Sequence, residues 1–201
     1  MGTILDKFDN LTITDHESLE KNKKQLEYVD YIVEHISNVQ KAYQIFFIPL
    51  LDKEIVSDIL SEYEFKSAIL NCKNSIEEHD SSKFEEEEFE AYRLKFYPTT
   101  YEHSLDDNYQ RWVKESFDDA WKHHYMNNKH HPLYWVDPNT NIASDMDLES
   151  IIEMICDWEA MSMKFNSDTI DWYNKADKEK SQMSDNTKRI VEEILFNIVH
   201  C

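Results

Sequence analysis

Glycine is almost absent from this chain of 201 residues, because Gly2 is the one glycine that it contains. A phosphate-binding P-loop and a dinucleotide-binding turn both need glycine where the backbone approaches the ligand. Hairpin turns built on Asn-Gly or Asp-Gly are missing for the same reason. The four prolines lie between the periodic segments, at Pro49, Pro98, Pro132 and Pro138. These absences exclude the glycine-dependent nucleotide folds and predict an all-α protein.

Basic residues are also scarce, with 21 Lys and Arg against 41 Asp and Glu, which gives a formal net charge of −20. Proteins that bind an extended nucleic acid hold its phosphates with clusters of Lys and Arg. We therefore expect no extended nucleic acid as a partner. A small phosphate-containing substrate remains compatible with this charge if a metal ion captures it.

The chain lacks paired cysteines and long hydrophobic runs. Cys72, Cys156 and Cys201 show no C-x-x-C spacing, and an odd number of cysteines favours free thiols in a reducing compartment. No run of 18 apolar residues and no signal peptide is found. We expect a cytoplasmic protein that does not bind a membrane, and a single helical domain over residues 1–201. A homodimer is compatible with the sequence.

Apolar residues at helical spacing predict most of the chain as amphipathic helices. The predicted helices are a long one that ends near Pro49, a second at about Glu64 to Glu78 that follows a short helix around Lys53 to Ser61, a third at roughly Phe84 to Tyr97, a fourth from Ser104 or Asp106, a fifth from Asp145 or Asp147, and two closing helices at about Asp168 to Gln182 and Asn186 to Val199. Ser82 and Glu85 form a predicted capping box for the third helix. We interpret the acidic run Glu85 to Glu88 as a solvated first turn.

Two His-His pairs, seven residues apart, lie in the segment from Ala120 to Pro138. If the fourth helix continues to Lys129, two registers are open, one with His124, Asn128 and His131 on a shared face and one with His123, Asn127 and His130. Neutral imidazole is the commonest metal ligand, and several histidines buried together favour a bound cation. The segment is therefore a candidate metal site.

Three further positions place chemically active side chains on apolar helix faces. His35 lies beside the stripe of the first helix, and His79-Asp80 ends the stripe of the second. Asp157 falls among apolar residues, where an unpaired carboxylate is costly and a metal, an Arg or a histidine must compensate. The alternatives are a core-edge histidine at His35, and a histidine favoured by the helix dipole at His79 beside a capping Asp80.

In this order, His35, His79-Asp80, the two His pairs and Asp157 resemble the H…HD…D pattern of the HD-domain superfamily of metal-dependent phosphohydrolases. The run from His79 to Lys83 is similar to the HD-x-[GS]-K form of many members. The segments HDSSKF, HHYMNNKHHPLYW and MICDW are more closely similar to a family of small phage and bacterial proteins. The resemblance covers about residues 28–165, leaves residues 168–199 as packing helices, and implies an HD-domain-like helical bundle. A phage-encoded chain would act in the host cytoplasm.

The resemblance implies a role for individual residues. The first metal would be held by His35, His79, Asp80 and Asp157. Asp80 would bridge to a second ion, for which His124 and His131 are the first choice and His123 and His130 the alternates, with Asn128 beside them. Lys83 would act with Asp80 in catalysis by neutralising the charge of a phosphate. Arg93 and Lys95 could extend this basic patch, and the alternative interpretation of both is an exposed helix residue.

Mixed nitrogen and oxygen ligands suit a divalent transition metal, namely Mn, Fe, Co, Ni or Zn, better than Ca or Mg. The resemblance therefore implies a phosphohydrolase with one or two such ions, acting on a nucleotide or small phosphate ester. The alternative is a catalytically inactive, HD-like acidic helical protein that binds a host or partner protein and uses metal for structure alone.

Overall fold

A computed structural model describes residues 13–200, with side chains described from residue 15. Within this range the backbone forms α-helices and no β-strand, apart from one isolated bridge between Val136 and Ala143, so the all-α prediction is confirmed. The helices are α1 (Ile13–Ala42), α2 (Glu62–Asn71), α3 (Lys73–Glu77), α4 (Phe89–Phe96), α5 (Thr100–Ser104), α6 (Asp107–Asn127), α7 (Leu148–Phe165), α8 (Thr169–Lys175), α9 (Asp177–Lys180) and α10 (Asp185–Glu192). Short 3₁₀ turns span Ile48–Asp52, Ser81–Phe84 and Pro132–Trp135, and π-helical turns span Tyr43–Phe47 and Glu193–Val199. None of the helices in residues 13–200 combines the length and hydrophobicity that a bilayer span requires.

The contacts between residues divide the described chain into two compact units. We call residues 13–33 and 82–124 the aromatic unit, and residues 34–81 and 125–200 the aliphatic unit. The boundary between the units falls within α1 and within α6. A single domain over residues 1–201 stays a prediction.

The aliphatic unit is built around α7, whose buried residues lie on all of its faces. A helix that is apolar all round belongs in the interior of a fold rather than at its surface. Residues of α2 and of the C-terminal π-helical turn join α7 in one hydrophobic core, among them Phe65, Ile69, Ile194 and Leu195. Side chains on α7 therefore have well-defined positions, including the few carboxylates that it carries.

Both ends of α7 are set by residues that the sequence makes recognisable. Asp147 caps the first turn, since its Oδ1 accepts the backbone N–H of Ser150 at 2.8 Å, which selects Asp147 over Asp145 as the predicted cap. Asn166 ends the helix in the left-handed conformation, with φ of 49°. These two caps fix the register in which Glu153 and Asp157 lie one turn apart.

The aromatic unit is held together by rings. Tyr28 and Tyr92 stack with their centroids 6.5 Å apart, and Phe89 lies 5.2 Å from Tyr28. Phe117 meets the Tyr92 ring edge to face at 5.1 Å. Such ring pairs add stabilisation to the burial of their apolar area. Aromatic ring contacts therefore add to the buried aliphatic residues Ile32, Leu94 and Val113 in this unit.

Arg93 is fully buried in the aromatic unit, so its interpretation as an exposed helix residue is wrong. Its guanidinium donates to Glu102 through two nitrogens, at 2.5 and 2.7 Å, and to Glu90 Oε1 at 2.8 Å. Burying a cation is costly unless carboxylates pair with it, and the fork of the guanidinium matches the two oxygens of Glu102. Arg93 is a structural ion-pair centre.

Several helix boundaries differ from the predicted ones. The second predicted helix breaks at Cys72 into α2 and α3, and the closing helix from Asp168 divides into α8 and α9. The short helix predicted around Lys53 to Ser61 is wrong, because the backbone there forms bends in which the Ser57 hydroxyl accepts the N–H groups of Ile59 and Leu60. α4 begins at Phe89, and the Ser82 hydroxyl lies 3.2 Å from His124 Nδ1, so the predicted capping box at Ser82 is wrong.

Candidate metal centre

Four side chains of the aliphatic unit bring their ligand atoms together. His35 comes from α1, Asp157 from α7, and His79 and Asp80 from the turn that follows α3. His35 Nε2 lies 3.1 Å from Asp157 Oδ1, 3.3 Å from His79 Nε2 and 3.5 Å from Asp80 Oδ2. His79 Nε2 lies 3.6 Å from Asp80 Oδ2 and 3.9 Å from Asp157 Oδ1. We call these four residues the HD cluster.

The separations within the HD cluster fit the coordination of one metal ion. Ligand bonds of about 2.1 Å place neighbouring ligand atoms roughly 3.0 Å apart in an octahedron and roughly 3.4 Å apart in a tetrahedron. The five measured separations, 3.1 to 3.9 Å, lie at or slightly above these values. Two imidazole nitrogens and two carboxylate oxygens also form a donor set that suits a transition metal. The residues present therefore fit such an ion.

The backbone at Asp80 is unusual, because its φ is 55°. The left-handed conformation is costly for a residue with a Cβ atom and persists where surrounding structure enforces it. In the described residues the other two positive φ angles belong to Asn141 and Asn166, and Asp and Asn adopt this conformation more readily than most residues with a Cβ atom. The turn at Asp80 lets consecutive residues, His79 and Asp80, both direct a ligand atom into the HD cluster.

Glu153 orients the His79 ring. Its Oε1 lies 2.9 Å from His79 Nδ1 and 3.1 Å from His130 Nδ1. Burial alone would raise the pKa of Glu153, but the close imidazoles of His130 and His79 lower this pKa to about 2. An ionised carboxylate can only accept, so His79 Nδ1 donates and the Nε2 lone pair of neutral His79 points into the HD cluster. A carboxylate behind a metal-binding histidine is the common arrangement in metalloproteins.

Asp157 is the most accessible member of the HD cluster. Its side chain is 20% exposed, whereas those of His35, Asp80 and His79 are 5%, 3% and 0% exposed. Burial would raise the pKa of Asp157, yet the hydrogen bond from His35 and the charges of the nearby imidazoles hold it well below its usual range. The carboxylate is therefore ionised, and part of the Asp157 side chain remains exposed to solvent.

Asp80 faces a second group of donors through its other oxygen. Asp80 Oδ1 lies 3.6 Å from His130 Nε2, and ligand atoms of Asp80, His130 and His131 lie within 4.8 Å of one another. The centroid of the His130 ring lies 4.2 Å from that of His131 and 4.4 Å from that of His79. Asp80 is thus placed like a bridging carboxylate, with Oδ2 toward His35 and His79 and Oδ1 toward His130.

The helical register predicted for the His-rich segment does not extend to its second pair. α6 ends at Asn127, and the Asn128 carbonyl then accepts the backbone N–H of His131 at 3.2 Å. Because the chain turns there, His130 and His131 both reach Asp80, although the two registers presented them as alternatives. Which of His130 and His131 would bind a metal ion stays a prediction.

The first His pair belongs to the aromatic unit, where it contacts a buried glutamate. Glu88 is fully buried, and its two oxygens lie 2.8 Å from His124 Nδ1 and 2.9 Å from His123 Nδ1. Burial would raise the pKa of Glu88, but the hydrogen bonds from both histidines lower it below its usual value. The prediction of a solvated acidic run is wrong for Glu88, because its carboxylate is buried against both histidines. Metal ligation by His123 or His124 stays a prediction.

Two predicted phosphate-binding residues also lie in the aromatic unit. Lys83 is half-buried, and its Nζ lies 5.6 Å from the centroid of the Tyr92 ring. Arg93 is neutralised by Glu90 and Glu102, so the structure does not support its predicted place in a basic patch. The catalytic role of Lys83 stays a prediction.

Sequence reasoning missed Glu153 and Glu88. Glu153 precedes Asp157 by four residues and therefore shares its helix face, which is a signal that the sequence does contain. Glu88 lies 35 residues from His123, and no local pattern relates the two. Carboxylates that orient histidines are harder to predict than the histidines themselves, because their partners come from distant parts of the chain.

The buried His and Asp side chains of the aliphatic unit could therefore bind a metal ion. Searches of curated proteins and of solved structures gave no match. A family profile, described as a family of unknown function (DUF5662), matches residues 24–197, a range that includes every member of the HD cluster. The chain therefore belongs to this family of unknown function, DUF5662.

Proposed function

We propose that this protein is a metal-dependent phosphohydrolase of the HD type that acts on a nucleotide or another small phosphate ester. The observation that carries the proposal is the HD cluster, where His35, His79-Asp80 and Asp157 converge from three separate helical regions with ligand atoms 3.1 to 3.9 Å apart. This convergence is what the H…HD…D resemblance requires.

The residues of the HD cluster supply a binding site that is oriented before a metal arrives. Glu153 holds the His79 ring so that its lone pair points inward, and the left-handed turn at Asp80 directs both carboxylate oxygens toward imidazoles. A transition metal bound there would polarise a phosphoryl oxygen and lower the pKa of water. Asp157, at the accessible side of the HD cluster, lies where a substrate would enter.

The exposure of Asp157 favours catalysis over a purely structural metal. Structural sites are closed by protein ligands, whereas catalytic sites keep a position for water or substrate. A centre in which one ligand remains partly exposed to solvent supports the second arrangement. The inactive acidic protein with a structural metal is the alternative, and it predicts the same bound metal without turnover.

The test is phosphate release by metal-free protein supplied in turn with Mn, Fe, Co, Ni and Zn. The panel contains nucleoside monophosphates, diphosphates and triphosphates together with small phosphate esters. We expect release from at least one compound with at least one metal, and a loss of 100-fold or more in His79→Ala and Asp157→Asn. His103→Ala, which changes an exposed histidine of α5, is the matched control and retains wild-type activity.

Two outcomes would contradict the proposal. Release that persists at the wild-type rate in both His79→Ala and Asp157→Asn would separate the activity from the HD cluster. Metal that binds without release of phosphate from any compound would favour the structural alternative. Lys83→Met and His124→Ala test the two roles that the resemblance assigns to residues of the aromatic unit.

A further inference from the structure

The aromatic unit contains a cavity of about 440 Å³. Seven of its eight lining residues are aromatic, although aromatic residues make up 13% of the whole chain. Small-molecule sites usually have volumes of roughly 300 to 1,000 Å³ and walls rich in aromatic side chains. The cavity therefore has the size and the lining of a ligand site.

The walls of this cavity are formed before any ligand binds. Tyr92 is buried, and Phe117 packs against it edge to face at 5.1 Å. Phe96 packs against Phe117 in the same way at 5.3 Å. The other aromatic lining residues are Tyr28, Tyr97 and the half-buried Tyr31 and Trp121. Rings that support one another lose little freedom when a planar ligand stacks on them, so less binding energy is lost to ordering.

Lys83 is the eighth lining residue and the one cation among the eight. Its Nζ lies 5.6 Å from the centroid of the Tyr92 ring, so the ammonium group stands against the aromatic wall. A chain with a net charge of −20 repels anions in general, and an anion bound here needs a local positive charge. The same ammonium group disfavours a cationic ligand, which an aromatic cage without a lysine would accept.

We propose that this cavity binds a planar aromatic compound that carries an anionic group beside its ring. The aromatic wall stacks on the ring, and Lys83 pairs with the anion. A nucleoside monophosphate and an aryl phosphate share this chemistry. The proposal concerns the aromatic unit alone and does not depend on the proposed hydrolase activity.

The test is isothermal titration calorimetry on metal-free wild-type protein, in which the HD cluster has no ion to offer a phosphate. AMP and phenyl phosphate are the two aromatic anions. Adenosine carries an aromatic ring without the anionic group, and ribose 5-phosphate carries the anionic group without an aromatic ring. We expect at least one aromatic anion to bind at least about tenfold more tightly than ribose 5-phosphate. If AMP binds, we expect it to bind at least about tenfold more tightly than adenosine. The comparison of AMP with phenyl phosphate tells a nucleotide site from an aryl phosphate site.

Three variants separate the two parts of the site. Lys83→Met lowers the affinity for the aromatic anion about tenfold and leaves the affinity for adenosine unchanged. Trp121→Leu lowers the affinity for every ligand that has an aromatic ring, and Trp121→Phe retains most of the wild-type affinity. Lys95→Met is the matched control, because Lys95 is an exposed lysine of the same unit with its Nζ 5.8 Å from the Phe117 ring centroid. Thermal melts verify the fold, and Lys83→Gln replaces any Lys83→Met protein that melts early.

Three results would overturn the proposal. The first is that neither AMP nor phenyl phosphate binds to metal-free protein. The second is that ribose 5-phosphate binds as tightly as the aromatic anions, which would leave the rings without a role. The third is that Lys83→Met binds like Lys95→Met. A protein that binds AMP but releases no phosphate would support this cavity and contradict the hydrolase, so the two proposals fail separately.

Discussion

Glu153 offers a direct test of how the HD cluster is oriented. Its Oε1 contacts Nδ1 of both His79 and His130, at 2.9 and 3.1 Å. Glu153→Gln keeps an oxygen in this position and removes the negative charge, whereas Glu153→Ala removes both. Loss of a carboxylate behind a metal-binding histidine typically lowers metal affinity 10-fold to 100-fold, or by about 1.4 to 2.7 kcal/mol. We expect about 10-fold for Gln and about 100-fold for Ala.

The assay is a competition titration of metal-free protein with Zn²⁺ and a chromophoric chelator, which reports affinity without any substrate. Glu149→Gln is the matched control, since Glu149 lies one turn earlier on α7 and accepts a hydrogen bond from Asn71 at 3.3 Å. We predict that the wild type and Glu149→Gln bind Zn²⁺ most tightly, that Glu153→Gln binds it less tightly, and that Glu153→Ala binds it least tightly. Wild-type affinity in Glu153→Ala would refute the orienting role.

The lowered pKa of Glu153 also predicts how the free energy of unfolding depends on pH in acid. Its pKa of about 2, against an ordinary 4.5, corresponds to on the order of 3 kcal/mol in favour of the ionised form. Because the folded-state pKa is lowered, this stabilisation is present above pH 4.5 and is lost as the pH falls toward 2. In urea unfolding of metal-free protein, Glu153→Gln should lose this part of the pH dependence. An unchanged acid limb in Glu153→Gln would contradict the reasoning.

Three further predictions concern the scaffold. Arg93→Ala leaves Glu90 and Glu102 without their buried cation and should destabilise the protein by about 3 to 5 kcal/mol in urea unfolding, whereas a loss below 1 kcal/mol would contradict its structural role. Burial would raise the pKa of Glu102, but its hydrogen bonds with Arg93 lower this pKa. The stabilisation that ionised Glu102 provides is therefore present above pH 4.5 and lost in acid. Glu102→Gln should flatten the acid limb of the free energy of unfolding. Asp147→Ala removes the hydrogen bond to Ser150 and should cost about 1 kcal/mol, measured by thermal unfolding, and an unchanged midpoint would exclude this cap.

The helices were predictable where periodicity and capping residues agree. Asp147 and the apolar residues that follow it indicate α7, because a capping side chain precedes a long buried run. The break at Cys72 was not predictable, since Cys72 is itself part of the apolar stripe and no Gly or Pro marks the place. The end of α6 at Asn127 was also missed, because Pro132 suggested a later limit. Helix breaks that depend on tertiary packing leave little trace in a local pattern.

The residues of the candidate site that belong to a sequence motif were predictable. The residues that orient them through hydrogen bonds were not predicted. His35, His79-Asp80 and Asp157 follow an ordered pattern, and the structure brings them together. The spacing of Glu153 from Asp157 indicates a shared helix face, but its partner His79 is 74 residues away, so no local pattern indicates that Glu153 contacts this histidine. The His pairs show the same limit, because the chain turns after Asn127 and the helical register no longer decides which ring reaches Asp80.

One measurement tests most directly whether the HD cluster binds a metal ion. Protein purified without added metal and analysed by mass spectrometry for Mn, Fe, Co, Ni and Zn should contain at least one transition metal ion per chain. The double variant His79→Ala, Asp157→Asn should contain less than a tenth of that amount, while His103→Ala should match the wild type. Equal metal content in the wild type and the double variant would contradict the account.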